Sequence, residues 1–197
     1  MSKLAGIILA AGLSSRMGEF KPLIRVNGET MIGRVIGMMR RCGASPIVVV
    51  TGHRHGELEQ ALSGEPEVEL VFNPDYATTQ QLESLRLALT VLTGRCDRVM
   101  ISPADVPLVS DGTAALIRDT EGDFVRPVWH GEYGHPVFLG AEWFVYLQAY
   151  DGPGGLRGAM ERSGCALVDL PVEDRGTVLD NDTPADLQRL LQWAERR

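Results

Sequence analysis

Three short stretches of this 197-residue chain gather side chains suited to holding phosphate or a cation. The first is Leu9-Ala10-Ala11-Gly12-Leu13-Ser14-Ser15-Arg16-Met17-Gly18-Glu19-Phe20-Lys21, which closes an apolar run. Gly12 and Gly18 permit tight turns and close approach of the backbone to a ligand. Successive backbone N–H groups, with the Ser14 and Ser15 hydroxyls, form a concavity for phosphate oxygens. Arg16 contributes a planar fork of donors and Lys21 a compact point charge. The spacing is neither GxxxxGK[ST] nor GxGxxG, so neither a P-loop nor a dinucleotide fingerprint is present.

The other two stretches are acidic: Asp105 in Ser102-Pro103-Ala104-Asp105-Val106-Pro107, and the pair Asp180 and Asp182 in Leu179-Asp180-Asn181-Asp182-Thr183-Pro184. Two carboxylates a few ångströms apart repel by roughly 1–4 kcal/mol at surface-like dielectric. A divalent cation reverses that sign, and magnesium binds through one or two carboxylates plus substrate phosphates. Asp105 is the principal candidate ligand, with Asp180 or Asp182 as the second. Each has a plainer use as well: Asp105 in a Pro-containing turn, Asp182 as the cap of a following helix.

Residues 6–10 and 46–51 are apolar on both faces and predict buried strands; 68–72 and 98–102 predict two more. Helices are expected at 30–41, where Met31, Val35, Ile36 and Met39 share a stripe, and at 81–92, where Leu82, Leu85, Leu89 and Leu92 do. Further helices are expected at 113–120 and 184–195, the latter with Asp182 or Thr183 as cap and Pro184 in its first turn. Strands alternating with helices predict a mainly parallel sheet covered on both sides. In such folds ligands lie beyond the carboxyl ends of the strands. All three chemical stretches follow apolar runs, as that rule requires.

A net charge of -7 argues against a general nucleic-acid binder, which needs basic surface. Cys42, Cys96 and Cys165 are scattered, with no metal-ligand spacing, and fit free thiols in a reducing compartment. His53, His55 and His130 show no metal-ligand pattern either. The apolar run at 4–11 is far short of the ~20 residues that span a bilayer. It is followed by a ligand loop rather than a mature start. A cytoplasmic protein with no membrane partner is the expectation.

The string LAAGLSSRMGEFKPL resembles the LAAGxSxRMGxxK signature of the MobA-like NTP transferases, in particular their molybdenum-cofactor cytidylyltransferase branch. The segment around Asp105 is similar to that family's GDMP element, and Leu179 to Leu187 to its D-x-D-T-P-E-D-L element. Gly134-His135-Pro136-Val137 and Gly154-Gly155-Leu156-Arg157-Gly158 look like its acceptor-side loops. The resemblance implies an α/β fold: a three-layer α/β/α, Rossmann-like nucleotide-diphospho-sugar transferase (GT-A-like) fold. It also implies one nucleotidyltransferase domain over 1–197, with an acceptor-side subregion at about 124–180.

The implied enzyme is a nucleotidyltransferase using Mg2+ held by Asp105 and by Asp180 or Asp182. Its nucleotide lies against Leu9, Ala10, Ala11, Gly12, Ser14, Ser15, Arg16, Gly18 and Lys21, with Arg16, Lys21 and Asp105 catalytic. The acceptor meets His135, Gly154, Gly155 and Arg157. Read without the family, His135 is equally a turn residue beside Pro136, and the glycines a helix entry. The LAAG form of the first motif implies CTP as donor, a phosphorylated acceptor such as molybdopterin, and a client molybdoenzyme for the product.

The chain departs from the cytidylyltransferase pattern at Ala77-Thr78-Thr79-Gln80-Gln81-Leu82-Glu83-Ser84, where a glycine-containing stretch is usual. If Gln80 and Gln81 narrow the acceptor pocket, the expectation becomes transfer to a sugar phosphate or another small phosphorylated molecule. A catalytically silent nucleotide-binding module is the alternative from outside enzymology.

Overall fold

The computed structural model describes residues 3–12 and 19–196 of the chain. Strand β1 (Leu4–Ala10) is followed by a small hairpin, β2 (Arg25–Val26) and β3 (Glu29–Thr30), and by helix α1 (Met31–Arg41). Then come β4 (Ile47–Thr51), α2 (His55–Ala61), β5 (Val68–Phe72), α3 (Gln81–Leu92), β6 (Arg98–Pro103) and α4 (Asp111–Asp119). The remainder supplies β7 (Phe124–Trp129), β8 (Glu132–Tyr133), β9 (Val137–Gly140), α5 (Phe144–Ala149), α6 (Gly155–Ser163), β10 (Leu167–Pro171) and α7 (Pro184–Ala194).

The main sheet has the order β10-β7-β9-β6-β1-β4-β5, with β8 paired to β7. β1 is parallel to β4 and β6, β4 to β5, and β7 to β10. β9 is antiparallel to both of its neighbours, β6 and β7. The main strands on either side of β9 therefore run the same way. Their carboxyl ends, and the amino end of β9, lie along one edge.

Strand periodicity divides the core into two layers. Ile8 and Ala10 of β1 pack with Ile32, Val35, Ile36, Leu58, Ala114 and Ile117, from α1, α2 and α4. Ala5 and Ile7 face Leu85, Leu89, Leu147, Ala159 and Met160, from α3, α5 and α6. This is the three-layer α/β/α arrangement. A third, smaller cluster joins Val26, Met31, Leu179 and Leu190, and docks α7 against the start of α1.

Local chemistry sets the helix ends. Thr30 caps α1 by accepting a hydrogen bond from the Gly33 N–H. α4 begins two residues ahead of the expected start because the Ser110 side chain caps it, accepting from the Thr113 N–H. α7 opens with a capping box in which Thr183 and Asp186 satisfy each other's backbone N–H groups. Thr183 is thus the cap, and Asp182 is left for other work.

Candidate active site

Register brings the first two stretches together. Leu9 of β1 pairs with Pro103 of β6, and the Ala104 N–H donates to the Leu9 carbonyl at 3.1 Å. Asp105 therefore emerges beside Ala10 and Ala11, between β1, whose connection turns toward β4, and β6, whose connection turns toward β7, as the switch-point rule predicts. On the other flank, Gly52 follows β4 and lies against the same backbone. A Cβ there would come within 2.7 Å of the Ala11 carbonyl oxygen and 2.5 Å of the Tyr76 Cβ. Only glycine lets these segments close up.

Together they frame a cavity of about 380 Å³ lined by Leu9, Ala10, Ala11, Gly12, Lys21, Tyr76, Gln80, Ser84, Asp105 and Asp182, among others. Lys21 opens a short 3-10 turn whose preceding residue, Phe20, is buried, which fixes where the ammonium starts. Ser14, Ser15, Arg16 and Gly18 lie outside the described residues.

At one end of this cavity the charges meet. Lys21 Nζ donates to Asp182 Oδ1 at 2.6 Å and to Asp105 Oδ2 at 3.3 Å. Burial works to lower the Lys21 pKa, but the hydrogen bonds and charges of Asp182 and Asp105 outweigh it and raise the net value. The ammonium therefore stays charged across the neutral range. Asp180 is open to solvent at its rim. Partial burial, then the negative charges of Asp105, Asp182 and Asp186, push its carboxyl above the ordinary range, with Lys21 opposing.

Between the two aspartates Asn181 is fully buried, its amide donating to Met31 Sδ at 3.3 Å. That anchor ties the acidic pair to the start of α1. Among the described residues, no group of three or more His, Cys, Asp or Glu side chains could hold a metal. The donors present are two converging carboxylates, with Asp180 nearby. That set suits a hard divalent cation whose remaining positions are filled by phosphate and water, not a closed protein cage.

A second cavity, of about 410 Å³, adjoins the first and shares Leu9, Gln80 and Gln81 with it. His135, Gly154, Gly155 and Arg157 line it, so all four expected acceptor residues face one space. His135 reaches it because β9 begins two residues later, at the shared sheet edge. Gly134 must be glycine: a Cβ would lie 2.7 Å from the Thr177 carbonyl oxygen, to which the next amide, that of His135, is bonded at 2.8 Å. Desolvation lowers the His135 pKa to about 4 against the opposing pull of Asp105 and the Ile101 backbone, so the ring is neutral. The α6 N-terminus is built from Gly154 at φ 92° and Gly155 at φ 57°, with no side-chain cap.

Arg126 is an addition that sequence reasoning missed. Its side chain is only 5% exposed, pairs with Asp169 at 2.6 Å and Glu161 at 3.0 Å, and lies 3.7 Å from the centre of the Tyr133 ring. Arg157 stacks on the same ring at 4.4 Å and shares Glu161 at 2.9 Å. The signal in the sequence was an arginine inside the apolar run Phe124-Val125-Arg126-Pro127-Val128.

The description "MobA-like NTP transferase domain" fits residues 6–168, which contain the basic loop, Asp105 and the acceptor-side segments. The chain belongs to the MobA-like NTP transferase family. As a member it is 30% identical over 191 residues to the molybdenum cofactor cytidylyltransferase of Escherichia coli (strain K12), across 94% of each chain. It is 28% identical over 205 residues to the molybdenum cofactor guanylyltransferase of Sinorhizobium fredii, covering 96% of this chain and 91% of that one. Its fold matches a nucleotidyl transferase from Methanothermobacter thermautotroptrophicus with a TM-score of 0.82, at 26% identity over 98% of both chains.

Membership in the MobA-like family makes the protein a nucleotidyltransferase. The fold of this chain puts Lys21, Asp105 and Asp182 in contact and His135, Gly154, Gly155 and Arg157 around a neighbouring space. Tyr76, Thr79 and Ser84 complete the first cavity's wall. They hang on Asn73, a buried amide donating to Thr79 Oγ1 at 3.2 Å and Ser84 Oγ at 3.0 Å. Among the described residues, no helix is long and apolar enough to cross a membrane.

Proposed function

We propose that the protein transfers a cytidylyl group from CTP to a phosphorylated acceptor of the molybdopterin class, releasing pyrophosphate, with Mg2+ as its cation. The observation that carries this reading is the adjacency of the two cavities, with Lys21, Asp105 and Asp182 meeting at one end of the first. The triphosphate lies in the first cavity, against the backbone of Leu9 to Gly12, with Ser14, Ser15, Arg16 and Gly18 as its further expected ligands. The acceptor lies in the second, its phosphate near Arg157 and the uncapped N–H groups at Gly154 and Gly155, where a helix start favours anions.

An ionised acceptor oxygen attacks the α-phosphorus. One phosphorus–oxygen bond forms, the bond to the β-phosphate breaks, and pyrophosphate carries off the electron pair. The acceptor is already deprotonated, so no side chain is needed as general base, and the neutral His135 is not asked to be one. Catalysis is alignment and charge neutralisation. Arg16 and Lys21 stabilise the charge that grows on the leaving pyrophosphate. Asp105 with Asp182 or Asp180 would hold a divalent cation, which would supply charge neutralisation to the phosphates.

The relative of 30% identity supports CTP, whereas the guanylyltransferase at 28% marks GTP as the competing donor. The second cavity is no smaller than the first, which supports a bulky acceptor over a small sugar phosphate. A client molybdoenzyme that receives the product belongs to the same reading, and co-purification tests it. The deciding experiment incubates the protein with Mg2+, α-labelled CTP or GTP, and either molybdopterin or a panel of sugar 1-phosphates. Label should pass to molybdopterin from CTP. Transfer only to a sugar phosphate, or only from GTP, would overturn the respective half of the proposal.

A further inference from the structure

We infer that Lys21 is an internal counter-ion that occupies the cation's place in the free protein, so that the divalent cation is taken up only together with the nucleotide. The inference rests on the proposed reading of the site and goes beyond it, to an order of assembly. Its basis is the geometry of one ammonium between two carboxylates: 2.6 Å from Asp182 Oδ1 and 3.3 Å from Asp105 Oδ2. The Lys21 side chain is 13% exposed and that of Asp105 21%, so the pair is sheltered from competing salt. In the proposed reading Asp105 and Asp182 are also the residues that would hold the divalent cation. A dication and an ammonium sharing these oxygens repel at any dielectric between water and protein interior.

Lys21 must therefore leave before the cation settles, and it has somewhere to go. It lines the nucleotide cavity and sits on a flexible four-carbon stem, so a triphosphate entering there offers it new anionic partners. Phosphate draws the lysine off the aspartates, and the vacated carboxylates receive the ion that the nucleotide brings. Without nucleotide the acidic cluster stays partly neutralised from within, one ammonium offsetting one of its two carboxylate charges.

The test is a titration with Mn2+ as probe, followed by water-proton relaxation, with no acceptor and no turnover. Wild-type protein should bind free Mn2+ weakly and take it up when CTP is added. Lys21→Met should bind free Mn2+ at least about tenfold more tightly than wild type, the factor set by removing one charge-assisted hydrogen bond. Lys21→Arg, which keeps the charge, should stay as weak as wild type. The double variant Lys21→Met/Asp105→Asn should lose the gain, which locates it.

The inference is overturned if Lys21→Met binds free Mn2+ no better than wild type. It is equally overturned if wild-type protein binds Mn2+ as tightly without CTP as with it, a comparison that stands even where the methionine variant does not fold. Failure of label transfer from CTP would sink the functional reading and leave unchanged the ratio of free-Mn2+ affinities between Lys21→Met and wild type, which involves no nucleotide.

Discussion

His135 ties the acceptor cavity to a measurable dependence of stability on pH. In the unfolded chain its imidazole titrates near about 6.5. In the folded protein burial lowers that value to about 4. Between these two values the unfolded chain binds a proton that the folded one refuses, so folding stability rises with pH through the window. The contribution is complete above about pH 6.5, is lost as pH falls toward about 4, and changes no further below it.

A gap of about 2.5 pH units corresponds to about 3 kcal/mol in total, of which about 2.5 kcal/mol is lost between pH 7.5 and pH 4.5. Carboxylates titrate over the same range, so the comparison is with His135→Gln, which cannot bind the proton. Urea denaturation followed by tryptophan fluorescence at pH 7.5 and 4.5 gives the change for each protein. Any constant cost of the substitution cancels in the difference. Wild type should lose about 2.5 kcal/mol more than the variant. If the two lose the same amount within about 0.5 kcal/mol, the ring is not held neutral by the fold and the assignment of a dry His135 is wrong.

Three further outcomes follow from the site. Asp105→Asn should lower the rate of nucleotidyl transfer by at least about 100-fold, the scale of removing one preorganised electrostatic contact, while the melting temperature barely moves; a variant with near-normal turnover would remove Asp105 from the chemistry. Gly52→Ala places a methyl group against the Ala11 carbonyl and Tyr76, so it should cost about 1–3 kcal/mol of stability. It should also raise KM for the nucleotide more than it lowers kcat, and an unchanged KM would refute the link to the cavity. Thr183→Ala removes the hydroxyl half of the capping box at α7, which should cost about 1 kcal/mol. Because Asp182 precedes that cap, the cation concentration needed for half-maximal activity should rise, and calorimetry with a Mn2+ activity titration reads both effects.

The first half of the fold was legible because its strands are buried on both faces. Continuous runs such as Ile47-Val48-Val49-Val50 leave no other assignment, and the Leu82–Leu85–Leu89–Leu92 stripe set α3 to the residue. Residues 124–180 were assigned no strand from sequence, yet they supply β7, β8, β9 and β10. Arg126 and Pro127 interrupt β7, and β8 has two residues, too few for any period to register. α2 was hidden because its seven residues bury only Leu58. Asp105, Asp182 and Lys21 all stood out by motif, but the contact that joins them did not. That Lys21 touches both follows from contacts across 84 and 161 residues of sequence, which no local pattern encodes. Arg126 was passed over for the opposite reason, since a buried charge in a strand looks like a defect until its partners on α6 and β10 are seen.

β9, the strand that runs against its neighbours, has a consequence for how far apart two reactants sit. It is hydrogen-bonded to β6 on one side and β7 on the other, so both cavities stand on one continuous sheet. From β1, beneath the first cavity, to β7, which carries Arg126, is three strand spacings, about 14 Å at roughly 4.8 Å each. Such a span behaves as a ruler cut in fixed increments. Acceptors of different length must be accommodated by the loops at its edge, because the rungs between them do not stretch.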